Sequence, residues 1–238
     1  MKDRKMLFSA IAILLSAAVI WGCTAASRAV SVFSAAQLRE EQTRIVIDAG
    51  HGAPDGGATS CTGKPESTYN LEISLRLRDL LHLLGHATRM IRTTDTSVYT
   101  KGETIAAKKM SDLKERVRIV NEREKQLLVS IHQNQFSDSR YSGAQVFYTS
   151  NGESRLLAKA LQERFVETLN PGSRRKEKRA EGIYLMEHIE RPGILVECGF
   201  LSNPEEEAKL SDAQYQKKLC CVIASTLSQF LETEYPNT

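Results

Sequence analysis

Three short apolar runs, each closed by residues able to do chemistry, constrain this chain more than any other feature. Arg44-Ile45-Val46-Ile47-Asp48 leads into Ala49-Gly50-His51-Gly52. Leu127-Leu128-Val129-Ser130-Ile131 leads into His132-Gln133-Asn134, and Gly193-Ile194-Leu195-Val196-Glu197 into Cys198-Gly199. Brief runs rich in Val, Ile and Leu and bounded by turn-forming residues read as buried strands. Continuous apolarity, without alternation, implies that both faces of each strand are covered, as in parallel sheets under helices.

The intervening sequence supplies those helices. Ser67–Leu84 is amphipathic, with Leu71, Leu75, Leu77, Leu80, Leu81 and Leu84 mostly on one side, and Gly85 terminates it. Ala87–Arg92 is a strand candidate, residues 95–110 are polar and loop-like, and Asp112–Lys125 is helical with Leu113, Val117 and Val120 on one face. Gly143–Thr149 reads as a strand, Glu153–Leu169 as a helix, 170–179 as a charged loop and Gly182–Met186 as a short strand. Pro204–Leu210 and Asp212–Leu231 close the chain as helices. The expectation is an α/β fold: an open, mostly parallel sheet with helices on both faces, forming a single catalytic domain.

A chain of 238 residues has room for that domain and a small appendage. Lys2, Arg4 and Lys5 precede an uncharged run, Met6–Ala26, long enough to cross a bilayer. This reads as a signal anchor over 1–26, followed by a polar linker over 27–42 and the catalytic domain over 43–238. The charge bias leaves the N-terminus in the cytoplasm and exports the rest. Two processing alternatives stand beside it: a small-residue cleavage site at Thr24-Ala25-Ala26, and Gly22-Cys23 as a lipoprotein site, with Trp21 a poor fit. A net charge of +3 and the lack of basic helices or finger spacing exclude a nucleic-acid partner. Five cysteines without framework spacing exclude a disulfide scaffold, although Cys61 and Cys198 fall near the strand ends and admit thiolate ligation as a lesser alternative.

In open parallel sheets, ligands gather beyond the carboxyl ends of the strands. That rule brings His51, His132 and Glu197 to one rim, with Glu66 at the start of the first helix beside them. Two imidazoles and one carboxylate form a frequent catalytic zinc set with a fourth position left for water. A further carboxylate can take a proton from that water and return it to a leaving amine. Glu197, at the end of a buried strand, is the candidate for this role. Structural readings of the same residues remain: a strand-end histidine in the core, Glu66 favoured by the helix dipole, and Glu197 paired with a buried arginine. His82 and His86 lie near a helix end and read as solvated or dipole-satisfied, and His188 as structural. Asp48 and Asp55 read first as turn acids. Arg92 and Arg116 read either as carboxylate receptors or as partners for Asp95 and Glu115. The run Arg174-Arg175-Lys176-Glu177-Lys178-Arg179 reads as a solvated loop or, less simply, as a contact for an anionic wall polymer or a protein.

Several of these segments together resemble a known family. Ile45-Val46-Ile47-Asp48-Ala49-Gly50-His51-Gly52, Glu66 with Asn70-Leu71, Arg92-Thr93-Thr94-Asp95, Ser130-Ile131-His132 and Val196-Glu197-Cys198-Gly199-Phe200-Leu201-Ser202-Asn203 resemble the zinc N-acetylmuramoyl-L-alanine amidases of the Amidase_3 type. The resemblance covers about residues 43–233 and is greatest to the sporulation-specific, CwlD-type cortex amidases. It implies one Zn2+ on His51, Glu66 and His132, with Glu197 as the catalytic glutamate. It implies peptidoglycan as substrate, cut between the muramic acid lactyl group and L-alanine, so that muramic-δ-lactam can form in spore cortex. It further implies a lipoprotein or other sporulation partner and a place outside the cytoplasm, membrane-anchored in the intermembrane space of the forespore. Some relatives carry an acid where this chain has Asn134, from which a three-ligand, looser hold on zinc is expected. The rival functions are a zinc carboxypeptidase acting on peptidoglycan and a non-catalytic wall-binding or scaffold protein on the same fold.

Overall fold

The computed structural model describes residues 14–24, 42–233 and 235. The chain divides into two units, Met1–Gln42 and Thr43–Thr238. In the first, residues 14–24 are helical and expose Leu14, Leu15, Val19, Ile20 and Trp21. The remainder of the expected anchor and nearly all of the expected linker lie outside the described residues. Among the described residues no helix is long and apolar enough to cross a membrane.

The second unit is built on a six-stranded sheet: β1 (Arg44–Ala49), β2 (Thr88–Met90), β3 (Gln126–Asn134), β4 (Gln145–Tyr148), β5 (Lys178–Arg179) and β6 (Gly193–Phe200). Its spatial order is β2-β1-β3-β6-β4-β5. The first four strands in that order are parallel, and β4 runs antiparallel to β6 with β5 parallel to β4. The helices are α1 (Glu66–Leu83), α2 (Ile105–Asn121), α3 (Gly152–Thr168), α4 (Tyr184–His188), α5 (Pro204–Ser211) and α6 (Ala213–Thr233).

Because successive strand residues point to opposite faces, the central strands feed two cores. Ile45, Ile47, Val129, Ile131, Ile194 and Val196 pack in the larger core with side chains of α1, α3 and α6, among them Ile73, Leu161 and Leu227. Val46, Leu128 and Leu195 pack in the smaller core with Ile119 and Val120 of α2 and Leu185 and Met186 of α4. Asp48, Ser130, His132 and Glu197 continue the second set along their strands, so the polar strand ends emerge on the α2–α4 side. Each buried aliphatic side chain contributes about 1.5–3 kcal/mol. A slip of one residue would exchange the faces of a strand and sink His132 or Glu197 into the larger core, so packing fixes the register that places the site.

Several boundaries differ from the sequence expectation. Helix α2 starts at Ile105, inside the segment read as a loop, because Thr104 Oγ1 caps it by accepting the Ala107 N–H at 3.2 Å. The residues that follow, Ile-Ala-Ala-Lys-Lys-Met, include strong helix formers. The same helix ends at Asn121, short of Lys125. Gly182–Met186 is not a strand: Gly182 takes a left-handed φ of 71° and its N–H is accepted by Glu187 Oε1 at 2.6 Å, which winds the segment into α4. The charged loop ends in the two-residue strand β5. Strands β3 and β6 continue past their apolar stretches to Asn134 and Phe200, with a register shift between His132 and Asn134.

Candidate active site

Beyond β1 the chain turns sharply, and His51 adopts a left-handed φ of 61°. Buried arginines hold this turn from behind. Arg92 donates from Nε to the Ala49 carbonyl at 2.7 Å, and from Nη2 to the carbonyls of Gly50 at 2.9 Å and Ser67 at 2.8 Å. Arg116 donates to the carbonyls of Ala49 at 3.0 Å and His51 at 2.6 Å. It is also paired with Asp48 and, at 2.7 Å, with Asp112. Both guanidiniums are thus committed to the scaffold. Arg92 does approach Asp95, at 3.6 Å, but the expected partner of Arg116, Glu115, pairs with Arg118 instead. Burial pulls Arg116 toward easier deprotonation, yet Asp48 and Asp112 outweigh it and raise its pKa.

Glu66 opens α1 after Pro65 and lies between the histidines. His51 Nε2 is 3.2 Å from its Oε2, and His132 Nδ1 is 3.0 Å from its Oε1. The carboxylate is aimed by Asn70 Nδ2 at 3.1 Å, one helical turn on, and by the N–H groups of Ala58 at 3.0 Å and Gln133 at 3.2 Å. One donor atom from each of His51, Glu66 and His132 lies within 4.8 Å of the others. On the far side of His51, Nδ1 lies 3.1 Å from Asp55 Oδ2, which orients the ring so that Nε2 faces Glu66. Lys109 Nζ is 3.1 Å from the same Asp55 oxygen. Gly50 and Gly57 admit this packing: a Cβ on Gly50 would lie 2.3 Å from the His132 ring, and one on Gly57 would lie 2.5 Å from Glu66 Oε2.

Glu197 is the cross-strand partner of His132 in the β3–β6 ladder. Its Oε2 is fully enclosed and has no hydrogen-bond partner. Burial pushes this carboxyl up to about 7, with His132 and His51 pulling it down and Glu66 pushing it up. Glu66 behaves oppositely: burial alone would raise it, but the two imidazoles against it hold it far below the usual carboxylate range. His132 is raised, because its contact with Glu66 outweighs the effect of burial. The group faces a cleft of about 340 Å³, walled also by Lys109, Leu113, Ile183, Tyr184 and Leu195.

The four residues singled out from the strand-end pattern therefore come together. Others do not join them. His82 bonds Thr88, His86 Nε2 is 2.6 Å from Ser228 Oγ, and His188 stacks on Tyr184 at 3.8 Å between centroids. Cys198 packs in the larger core, on the opposite face from Glu197, and burial raises its thiol well above the ordinary value. Thiolate ligation by Cys198 is thereby excluded, and Cys61 is exposed. Asp55, read first as a turn acid, and Asn70, noted only within a family segment, are contributors whose orienting roles the sequence reading missed. Their spacing carried a signal, since each lies four residues after the group it orients.

Two histidines and a carboxylate around one space, against an unpartnered carboxylate, define the class: a hydrolase with a candidate centre for a single metal ion. The chain belongs to the Amidase_3 family, N-acetylmuramoyl-L-alanine amidase, whose model matches residues 45–229. It is 40% identical over 182 residues to the germination-specific N-acetylmuramoyl-L-alanine amidase of Bacillus subtilis, covering 75% of this chain and 76% of that one. Its fold matches the CwlD amidase of Clostridioides difficile, solved in complex with the GerS lipoprotein, with a TM-score of 0.77 and 35% identity over 80% of this chain and 99% of that one. A second N-acetylmuramoyl-L-alanine amidase structure, from Clostridium difficile 630, matches with a TM-score of 0.71 and 27% identity over 82% and 99%.

Proposed function

We propose that this chain is a zinc-dependent amidase that cuts peptidoglycan between the lactyl group of N-acetylmuramic acid and L-alanine. In this reading His51, Glu66 and His132 hold one Zn2+, and Glu197 carries the proton. Support comes above all from the unpartnered Oε2 of Glu197, set beside His132 on the same rung of the sheet. A buried carboxylate with a vacant acceptor is costly unless it has work to do. The donor set itself, neutral imidazoles plus one carboxylate, suits Zn2+.

Zn2+, when bound, supplies a Lewis acid that polarises the amide carbonyl and acidifies water. Glu197 accepts the proton of the attacking water and delivers it to the departing amine of L-alanine. Burial disfavours the charged form of the Glu197 carboxyl, which eases the proton's uptake from water and leaves the group able to hand it on. Asn70 Nδ2 and the N–H groups of Ala58 and Gln133 donate to the Glu66 carboxylate and favour its ionised form. Asp55 orients the His51 ring, and Ile183, Tyr184 and Leu195 give the cleft an apolar wall that limits stray water.

The biological setting is the finer part of the proposal. Identity to a germination-specific amidase supports a role in removing stem peptides, so that muramic-δ-lactam can form in spore cortex. The solved complex of the CwlD amidase with a lipoprotein supports a lipoprotein partner here. The apolar residues exposed on helical residues 14–24 support a membrane anchor, with the catalytic domain outside the cytoplasm in the forespore intermembrane space. The deciding experiment measures zinc content and muropeptide products for the wild type beside Glu197→Ala. Muramic acid freed of peptide, lost in a variant that still folds and holds zinc, is the expected result. Shortened peptides would instead identify a carboxypeptidase, and near-normal cleavage by Glu197→Ala would remove Glu197 from the chemistry.

A further inference from the structure

The basic run over 174–179 takes no part in the centre described above, yet Arg175 stands apart within it. Its guanidinium lies over the Phe200 ring, 5.0 Å from the centroid. Its side-chain hydrogen bonds go to neutral acceptors: Nε to the Ser142 carbonyl at 3.1 Å and Nη1 to Gln145 Oε1 at 3.4 Å. The one acid in the run, Glu177, faces Arg155 at 3.7 Å. Arg175 is half-buried, and among the described residues no carboxylate is paired with it. Beyond Phe200 the ring of Tyr141 follows, and Phe136 packs on Tyr141 with centroids 4.6 Å apart. Phe136 and Tyr141 are 49% and 47% exposed. Tyr141, Gln145 and the loop 173–178 line an open cleft of about 660 Å³.

Sheet register ties this cleft to the catalytic centre. Gln145 is the cross-strand partner of Glu197 in the antiparallel β4–β6 pair, so both side chains leave the sheet on the same face. Neighbouring strands lie about 4.8 Å apart. The guanidinium, one hydrogen bond beyond Gln145, is therefore on the order of 10 Å from Glu197. The cations on the other wall of the site are already neutralised, Lys109 by Asp55 and Arg116 by Asp48 and Asp112.

We infer that Arg175 is the receptor for a carboxylate of the stem peptide, and that it fixes which way the substrate lies across the site. The inference rests on the amidase reading. Once the lactyl carboxyl is tied up in the scissile amide, the glycan is uncharged and the anionic groups of the substrate belong to its peptide. The peptide accordingly runs over the β4–β5 edge, and the sugars lie toward α2. An extended peptide advances about 3.3–3.6 Å per residue, so the carboxylate that reaches Arg175 is carried by the second or third residue. A guanidinium whose partners are neutral has its charge uncompensated and can offer a fork of N–H donors to that carboxylate. Phe136 and Tyr141 provide an apolar floor beside it.

The test compares a muropeptide bearing a three-residue stem with its counterpart in which the stem carboxylates are amidated. Wild type, Arg175→Gln and Arg175→Lys are assayed as zinc-loaded full chains. Wild type is expected to favour the acidic substrate by about tenfold in kcat/KM, the worth of one charge-assisted contact, expressed in KM. Arg175→Gln is expected to lose the preference while cleaving the amidated substrate as wild type does, and Arg175→Lys to keep part of it. An equal loss on both substrates would make Arg175 merely structural, and an unchanged preference would place the carboxylate elsewhere. Either result overturns the inference. Calorimetric binding of the free tripeptide and its amidated form repeats the comparison without turnover. Cleavage of neither substrate, with binding still dependent on Arg175 and the carboxylate, would sink the amidase reading alone.

Discussion

The Asp55 carboxylate lies directly behind His51, its Oδ2 accepting from Nδ1 at 3.1 Å while its Oδ1 accepts the Gly57 N–H at 3.1 Å. It thereby sets the ring that meets Glu66 and pins the loop that carries it. Outer partners of this kind are worth about 10–100-fold in metal affinity. Asp55→Ala is expected to weaken Zn2+ binding by that factor, read by competition with a chromophoric chelator. An unchanged affinity in a folded variant would leave Asp55 as a turn residue only.

The buried Glu197 carboxyl predicts an effect on stability that is separate from activity. Its pKa in the zinc-free protein is raised from 4.5 to about 7. A raised value means that the folded state holds the proton more tightly. This contribution is therefore fully present below about 4.5 and is lost as pH rises through about 7. Glu197→Gln, which cannot ionise, should make the zinc-free protein more stable than wild type at pH 8, by on the order of 3 kcal/mol. Below about pH 4.5 it should make little difference. Urea denaturation with chelator present, at both pH values, measures it. Equal stabilities at pH 8 would mean that the carboxylate finds a partner or water on ionising.

What the sequence disclosed about this site follows from what local pattern can encode. His51, His132 and Glu197 were legible because each closes an apolar strand, and strand ends in a parallel sheet share a rim. Glu66 was legible through the helix that returns from that rim. Arg116 was not: Asp48 is distant in sequence, and although Asp112 lies one helical turn before it, Glu115 beside it offered a false partner. Asp55 looked like a turn acid because it sits among glycines, and its role exists only once the loop folds back on His51. The start of α2 was hidden by polar residues, although the Thr104 cap and the alanines after it were present to be read. Cys198 shows the value of strand alternation: adjacent to Glu197, it was bound to face the other core.

The Asp48–Arg116 pair predicts the acid limb of stability. Burial disfavours ionised Asp48, but Arg116, His132 and the Ser130 hydroxyl, 2.7 Å away, outweigh it and hold the carboxyl below its ordinary 3.8. A depressed value means that the contribution is complete above about 3.8 and is lost as pH falls through the folded-state pKa. Asp48→Asn should flatten this limb. Arg116→Met strands Asp48 and Asp112 without their cation and also frees the carbonyls of Ala49 and His51. Its expected cost is about 3–5 kcal/mol, by urea denaturation at pH 7. A cost under about 1 kcal/mol, the range of an exposed pair, would show that the pair is solvated.

Gly50 separates the demands of the backbone from those of the candidate metal centre. Its backbone lies outside the left-handed region, so alanine is compatible with its conformation, unlike alanine at Gly57 with φ 69°. A Cβ there would nevertheless sit 2.3 Å from both Cε1 and Nε2 of His132. The ring cannot yield toward Glu66 without breaking the 3.0 Å contact that aligns Nδ1. Nor does the turn give way easily, because Arg92 and Asn70 both hold the Gly50 carbonyl. Gly50→Ala should therefore displace His132 from the donor set, lowering zinc affinity at least about 100-fold, the loss of one ligand contact worth some 3 kcal/mol. The core is untouched, so far-ultraviolet circular dichroism should match wild type. Full zinc content in Gly50→Ala would mean that the imidazole has another rotamer from which it can ligate, or that His132 is not in the donor set.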